Sequence, residues 1–208
     1  MLRRDKVLEE TLTALSKNGF RVFFAKGKEE AKDTVLKLIS PEESIGVGGS
    51  ITIREIGLLE ALEERGNKIF QHWIKGLSPK EFSEALNEEV KAEVFLTSSN
   101  AVTRDGKLVN KDMTGNRVSA MIFGPKKVIV VVGINKIVSD VNEALDRIRN
   151  IAAPLNAKRI GLKTPCAITG VCNDCDSPDR ICRVTTIIEK CPSLTEMNVI
   201  LVNEELGY

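Results

Sequence analysis

Hydrophobic positions recur along the chain with two periods, and each period names an element. Val7, Leu8, Leu12 and Leu15 stand at helical spacing, so residues 2–17 predict a helix that Asn18-Gly19 stops. Phe20-Arg-Val-Phe-Phe-Ala25 reads as a strand. Ala31, Val35, Leu36 and Ile39, set among lysines and glutamates, mark a second helix that ends before Pro41. A short apolar run closes at Ile45 and Val47, and the helix after it carries Ile53, Ile56, Leu59 and Leu62 before Gly66 stops it. Residues 67–72 predict the next strand. Ser78-Pro-Lys-Glu81 combines N-cap, first-turn proline and capping glutamate, opening a helix that runs to about Ala92. Val94 to Leu96 is an apolar strand, and Arg104-Asp105-Gly106-Lys107 is a hairpin turn between two short β segments. A helix opens at Gly115-Asn116-Arg117 and runs through Met121. Lys126-Lys-Val-Ile-Val-Val-Val-Gly133 is a continuous β-branched run of the kind buried on both faces of a parallel sheet. Ser139-Asp140 caps a helix through Ala144, Leu145, Ile148 and Ile151, and Asn198-Val-Ile-Leu-Val202 is the last strand. Strands alternating with helices up to about residue 160 predict an α/β fold: three layers, α/β/α, around a doubly wound, mainly parallel sheet.

Composition narrows the class. At 208 residues with 42% hydrophobic positions the chain has enough apolar content for one sizeable core, which excludes disorder. The formal net charge is +1 and no Lys/Arg run exceeds two residues, which argues against a nucleic-acid partner and against a membrane surface. The opening Met-Leu-Arg-Arg-Asp-Lys leads into no apolar signal core, and no stretch approaches the length of a membrane span, so a cytoplasmic location is expected.

Candidate chemistry concentrates at strand ends. After Ile45 and Val47, Gly46, Gly48 and Gly49 permit a tight turn, Ser50 or Thr52 is placed to cap the following helix, and Thr52-Ile-Arg-Glu55 has capping-box spacing. Strand, glycine turn and helix start together aim free backbone N–H groups at one point, where a phosphate or carboxylate is held. The bland alternative is a tight turn that binds nothing. A dinucleotide fingerprint fits poorly, which argues against nicotinamide cofactors: its third glycine falls at Ile51, and the next strand ends in Gln71-His72 instead of an acid for a ribose. The exit of the Val94–Leu96 strand is small and polar, with Thr97, Ser98, Ser99 and Asn100, and Asn135-Lys136 lies just past the Lys126–Gly133 strand. Strand C-terminal ends are where ligands bind in parallel sheets, so Lys136 and Arg117 are the expected anion contacts. Glu55, Asp105 and Asp112 are the carboxylates available for acid–base work, each with a structural alternative as cap partner, turn residue or solvated charge. His72, the only histidine, stands away from these motifs and reads as a structural residue.

Gly-Val-Gly-Gly-Ser, Thr-Ser-Ser-Asn-Ala-Val-Thr-Arg-Asp-Gly-Lys-Leu-Val-Asn and Asn-Arg-Val-Ser-Ala resemble the LUD-domain family, named for lactate utilization. So do Phe-Gly-Pro-Lys-Lys-Val-Ile-Val-Val-Val-Gly-Ile-Asn-Lys-Ile-Val and the closing Leu-Gly-Tyr, and the similarity covers essentially the whole chain. The resemblance implies one LUD-type domain over residues 1–208, with a fold like the glucosamine-6-phosphate deaminase, ribose-5-phosphate isomerase and CoA-transferase superfamily. It also implies a component of lactate oxidation that works with an iron–sulfur oxidoreductase partner protein. Asn110 and Asn116, which stand within the resembling motifs, join the candidate ligand contacts.

The five cysteines all fall after residue 165. Cys166, Cys172, Cys175 and Cys182 lie within 17 residues in a loop-like segment, 161–192, inserted before the last strand, and resemble the cysteine-bearing branch of the same family. An odd number of cysteines in a cytoplasmic-looking chain points to a metal or cluster site in preference to disulfides. Four thiolates hold tetrahedral zinc or an iron–sulfur cluster, and spacing does not separate the two; the association with lactate oxidation favours the cluster. Cys191 is left outside the set. Three readings follow. The first is a redox-system protein that binds a small anionic organic acid or phosphate and carries a cluster. The second is an isomerase- or transferase-like enzyme on a phosphorylated sugar or CoA ester, with structural zinc. The third is a non-catalytic sensor or assembly subunit.

Overall fold

The computed structural model describes residues 3–208; Met1 and Leu2, the latter the first position of the expected N-terminal helix, lie outside the described residues. In chain order the elements are α1 (Arg3–Lys17), β1 (Arg21–Ala25), α2 (Lys28–Leu38), β2 (Ile45–Val47), α3 (Ile51–Glu55), α4 (Leu58–Glu64), β3 (Ile69–Gln71), α5 (Pro79–Lys91), β4 (Val94–Thr97), β5 (Ala101–Thr103), β6 (Leu108–Asp112), α6 (Asn116–Ile122), β7 (Lys127–Gly133), β8 (Ile137–Val138), α7 (Val141–Arg147), α8 (Ala153–Ile160), α9 (Pro165–Thr169), β9 (Val184–Ile188) and β10 (Glu196–Val202). Among the described residues no helix is long and apolar enough to cross a membrane.

The main sheet has the order β1-β10-β7-β4-β2-β3, and every pairing in it is parallel. Its strands are buried on both faces, which is why they read as continuous apolar runs. In β7, Ile129 and Val131 face a layer built by α2, α3 and α4, through Val35, Ile53, Leu58 and Leu62. Val128, Val130 and Val132 face the opposite layer, where Leu15 of α1 and Met121 of α6 pack. The expected α/β/α architecture is therefore present. β2 pairs with β3 on one side and β4 on the other, so the chain leaves β2 in one direction and β4 in the opposite one. That divergence opens a crevice outside their C-terminal ends.

Three expectations are corrected and one open alternative, the cap of the helix after the glycine turn, is resolved. The helix after the glycine turn is two helices, because Gly57 adopts a left-handed φ of 63° between α3 and α4. Its cap is Ser50, whose hydroxyl accepts from the Ile53 N–H at 3.3 Å; Thr52 is inside the helix and buried. The helix begun at Asp140 does not end near Ile151. A π turn over Ile148–Ala152 carries it into α8, the wider turn accommodating Pro154, which has no N–H for a continuous α ladder. Finally, 161–192 is not all loop: it contains α9 and β9. β9 pairs antiparallel with β6 in a second sheet of order β8-β5-β6-β9, which extends the expected hairpin. Its Thr185-Thr-Ile187 centre, half exposed, gave too little apolar alternation to stand out.

Gly46 of β2 is the tightest point in this frame. A Cβ there would lie 1.9 Å from the Glu89 carbonyl oxygen, so the absence of a side chain lets α5 press directly on β2. Gly46→Ala is expected to lower unfolding stability in urea by about 1–3 kcal/mol, the usual cost of overpacking; an unchanged midpoint would mean that α5 does not bear on β2.

Candidate functional site

The crevice at the β2/β4 divergence is a cavity of about 400 Å³. Gly49, Ser50 and Thr52 reach it from the segment after β2, Ser98, Ser99 and Asn100 from the segment after β4, and Lys136 from the 3-10 turn after β7. Parallel strand direction alone brings these three distant segments to one edge.

Lys136 is 4% exposed, and its Nζ donates to Thr52 Oγ1 at 2.9 Å and Ser98 Oγ at 3.0 Å. No carboxylate forms an ion pair with it among the described residues. Burial, reinforced by the nearby Arg147 and Arg117 guanidiniums and opposed by Glu55, pushes its pKa down to about 7. Arg147 is itself buried and spans two of the exit loops, donating to the Asn135 carbonyl at 3.1 Å and the Asn100 carbonyl at 2.8 Å. Burial lowers its pKa as well.

Arg117, in the first turn of α6, lines the cavity with Asn116 and Asp112. Its Nε donates to Asp112 Oδ1 at 2.8 Å, and its Nη2 to Asn100 Oδ1 at 3.0 Å and to the Lys111 carbonyl at 2.7 Å. Asp112 Oδ2 accepts from the Val118 N–H at 3.1 Å, so this carboxylate is occupied as the holder of Arg117. Nη1 of Arg117 has no protein partner among the described residues.

Other candidates stand outside the cavity lining. Gly48 packs its bare Cα against the Phe95 ring, and Gly49, at the wall, lies under the Trp73 indole; Gly46 admits α5. Three close approaches thus account for the three glycines, and α3 is too short to present an anion site of its own. Glu55 Oε2 accepts from the Gly207 N–H at 2.6 Å, while Asn135 Oδ1 accepts from the Leu206 N–H and its Nδ2 donates to the Gly207 carbonyl. These two residues tie Leu206–Gly207 across Lys136 and bring Tyr208 to the cavity wall. Asn110 is buried beneath the loop, its Oδ1 accepting from the Asn100 N–H at 3.0 Å. Asp105 is an exposed turn residue bonded to Thr103 and Lys107.

Two features were missed. His72, just past β3, lines the cavity, and its Nδ1 lies 2.6 Å from Oε1 of Glu89, a carboxylate with no exposed surface. The spacing of Phe82, Leu86 and Glu89 at i, i+4, i+7 carried the signal, since it sets Glu89 on the inner face of α5. Burial pushes the Glu89 carboxyl up, and the His72 bond partly offsets that. Trp73 is held between the guanidiniums of Arg54 and Arg159, at 3.9 Å and 4.0 Å from its ring centre, at the cavity wall.

Cys166, Cys172, Cys175 and Cys182 line a second, small cavity of about 30 Å³ that shares Lys111, Ala153, Ile181 and Cys182 with the large one. Arg180 fixes the surrounding loop by donating to the Cys175 and Cys182 carbonyls at 2.7 Å and 3.0 Å. Burial raises the Cys182 thiol pKa. Among the described residues no three His, Cys, Asp or Glu side chains stand at ligating positions around one point. Four thiols are the donor type of a tetrathiolate site, and all four line this one cavity without forming one. Cys191 lies apart, its thiol donating to the Thr195 carbonyl at 3.3 Å.

A sequence profile described as the LUD domain matches residues 8–202. No curated protein matches the chain. Among solved structures, a DUF162 family protein from Deinococcus radiodurans is similar with a TM-score of 0.56 at 16% identity, over 98% of this chain and 100% of that one, a likeness of fold alone.

Lys136 gives the site a pH signature. With a folded pKa of about 7 against an ordinary value of 10.5, the unfolded chain binds more protons between those limits, so this group makes stability rise with pH there. The destabilisation is complete below about pH 7 and gone above about 10.5. Wild type minus Lys136→Met, in urea melts from pH 6.5 to 10, should show a positive slope of up to about 1.4 kcal/mol per unit; a flat difference would mean that Lys136 is not desolvated.

Proposed function

Because the chain belongs to the LUD domain family, named for lactate utilization, we propose that it is a component of a lactate-utilization-type redox system that binds a small organic anion in the cavity at the β2/β4 divergence. One observation carries this reading: the Lys136 ammonium is buried between two hydroxyls without a counter-charge, in a cavity that also receives Arg117. A carboxylate or phosphate supplies the missing charge and relieves the cost of the buried cation. Thr52 and Ser98 orient the ammonium, Asn100 and Asp112 hold Arg117, and Leu206–Tyr208 limits access by water.

Cys166, Cys172, Cys175 and Cys182 are proposed to hold an iron–sulfur cluster, which when bound supplies one-electron transfer and a docking point for an iron–sulfur oxidoreductase partner. The cavity volume favours a second reading. About 400 Å³ suits a ligand larger than a six-atom hydroxy acid, in keeping with an isomerase- or transferase-like enzyme on a phosphorylated sugar or CoA ester, with zinc on the thiols.

Trp73, the only tryptophan, reports on cavity occupancy. Titration of its fluorescence with lactate, inorganic phosphate and ribose 5-phosphate should give saturable binding of at least one. Lys136→Ala is expected to weaken that binding by roughly ten- to a hundredfold, the loss of one charge-assisted hydrogen bond. Affinity should fall as pH rises through about 7, where Lys136 loses its charge. An unaltered affinity in the variant removes Lys136 from the site. Protein purified without oxygen should be brown and contain iron and sulfide; a colourless protein with one zinc supports the second reading, and neither metal removes the thiol site.

A further inference from the structure

The geometry points to the His72–Glu89 pair as an acid–base catalytic dyad: His72 Nε2 removes a proton from the carbon beside a carbonyl group in an anionic ligand whose oxygen lies against Lys136. This rests on the anion-binding reading above and adds a reaction to it.

The pair is oriented as a base must be. Nδ1 lies 2.6 Å from Glu89 Oε1, and a carboxylate there takes the Nδ1 hydrogen and leaves Nε2 as an acceptor. Nε2 has no protein partner among the described residues, and the ring lines the cavity. Glu89 is the positioning residue: it is fully buried, held by His72 and by Asn116 Nδ2 at 3.5 Å. Its place depends on Gly46, which lets this turn of α5 reach β2. A hydrogen bond that served only to clamp helix to strand would leave proton exchange unaltered in His72→Asn.

The cavity supplies what the dyad lacks. Lys136 spends two ammonium hydrogens on Thr52 and Ser98, whose own hydroxyls donate to the Leu206 and Ser99 carbonyls, and its third N–H is left for a carbonyl oxygen on which negative charge develops. Nη1 of Arg117, without a protein partner among the described residues, is the contact for the ligand's carboxylate or phosphate. Among the described residues the His72 ring hydrogen-bonds Glu89 and no serine, threonine or cysteine. A base, an oxyanion partner and an anion anchor together define enolisation. In that step the C–H bond breaks, its electron pair forms C=C, the carbonyl π pair moves to oxygen, and the proton rests on Nε2 with the imidazolium against Glu89. Return of a proton to carbon completes a redox-neutral exchange, and no further reactant is required.

The test uses the full chain in D2O with pyruvate, dihydroxyacetone phosphate and ribose 5-phosphate, following loss of the proton signal beside the carbonyl by NMR and binding by Trp73 fluorescence. Wild type should exchange at least one probe faster than buffer. His72→Asn and Glu89→Gln should each slow that exchange by about a hundredfold or more while binding stays within about threefold. Binding without exchange, or exchange unaltered in His72→Asn, overturns the dyad and leaves the anion reading intact; failure of every probe to bind overturns both. Independently of any ligand, the single histidine allows an unambiguous nitrogen-15 spectrum. It should show hydrogen on Nδ1 and a bare Nε2, reversed in Glu89→Gln. The opposite tautomer in wild type overturns the proposal, and this reading needs only the folded wild-type protein.

Discussion

The structure depends on a divergence between two hydrogen-bonded neighbours. β2 and β4 run side by side and parallel, yet the chain leaves them toward opposite edges of the sheet. Backbone that would otherwise cover the strand ends is drawn apart, and the 400 Å³ cavity is the space left behind. β2 is only three residues long, so its position rests on neighbours and not on its own ladder. Gly46, Gly48 and Gly49 let those neighbours approach: a helix backbone, a phenyl ring and an indole each occupy the space a Cβ would take. The glycine stretch shapes the cavity by what it allows to pack, and a side chain at any of the three would displace a wall.

Charge inside the cavity follows from that packing. Arg117 and Arg147 are brought within electrostatic reach of Lys136, and Lys136 and Arg117 line the space. Asp112 neutralises Arg117, and Arg147 spends its donors on backbone carbonyls. Lys136 is left with hydroxyls. A buried cation with neutral partners is held in place by the fold at a free-energy cost, which the segment Leu206–Gly207 increases by lying over it. The cost shows as a pKa depressed to about 7, so the group proposed to meet an anion also gives up its proton near neutral pH.

Much of the frame was legible in the sequence because it rests on local pattern. The apolar run of β7, the capping box of Ser78 and Glu81, and the polar exits after β4 and β7 are each visible within a few residues. The convergence of Ser50, Ser98 and Lys136 followed from one topological premise, parallel strands. What stayed hidden was tertiary. His72 is a lone polar residue until Glu89, 17 positions away, is seen to face it, and Glu89 looks like one more charge on a charged helix. Glu55 and Asn135 sit in the right motifs, but their side chains are taken by backbone of residues 206–207, a contact no local pattern announces. The split at Gly57 and the π turn before Pro154 were hidden for the opposite reason: hydrophobic periodicity continues through both while the backbone does not.

The cysteine segment and the large cavity are not independent parts. Lys111, Ala153, Ile181 and Cys182 belong to the walls of both. Just beyond Cys182 the Arg183 N–H donates to the Asp112 carbonyl at 3.0 Å, and Val184 opens the strand that pairs with Asp112. Asp112 in turn holds Arg117 through its side chain. The route from thiol to guanidinium is therefore two backbone steps and one ion pair. The segment that carries Cys172 and Cys175 is exposed and has little apolar surface, so its own packing contributes little order. Whatever fixes Cys182 also fixes the end of β6, and with it the angle at which Arg117 faces the cavity. On the proposed reading, in which the thiols take a metal or cluster and the cavity an anion, binding at one site would change preorganisation at the other, and linkage would make the effect mutual.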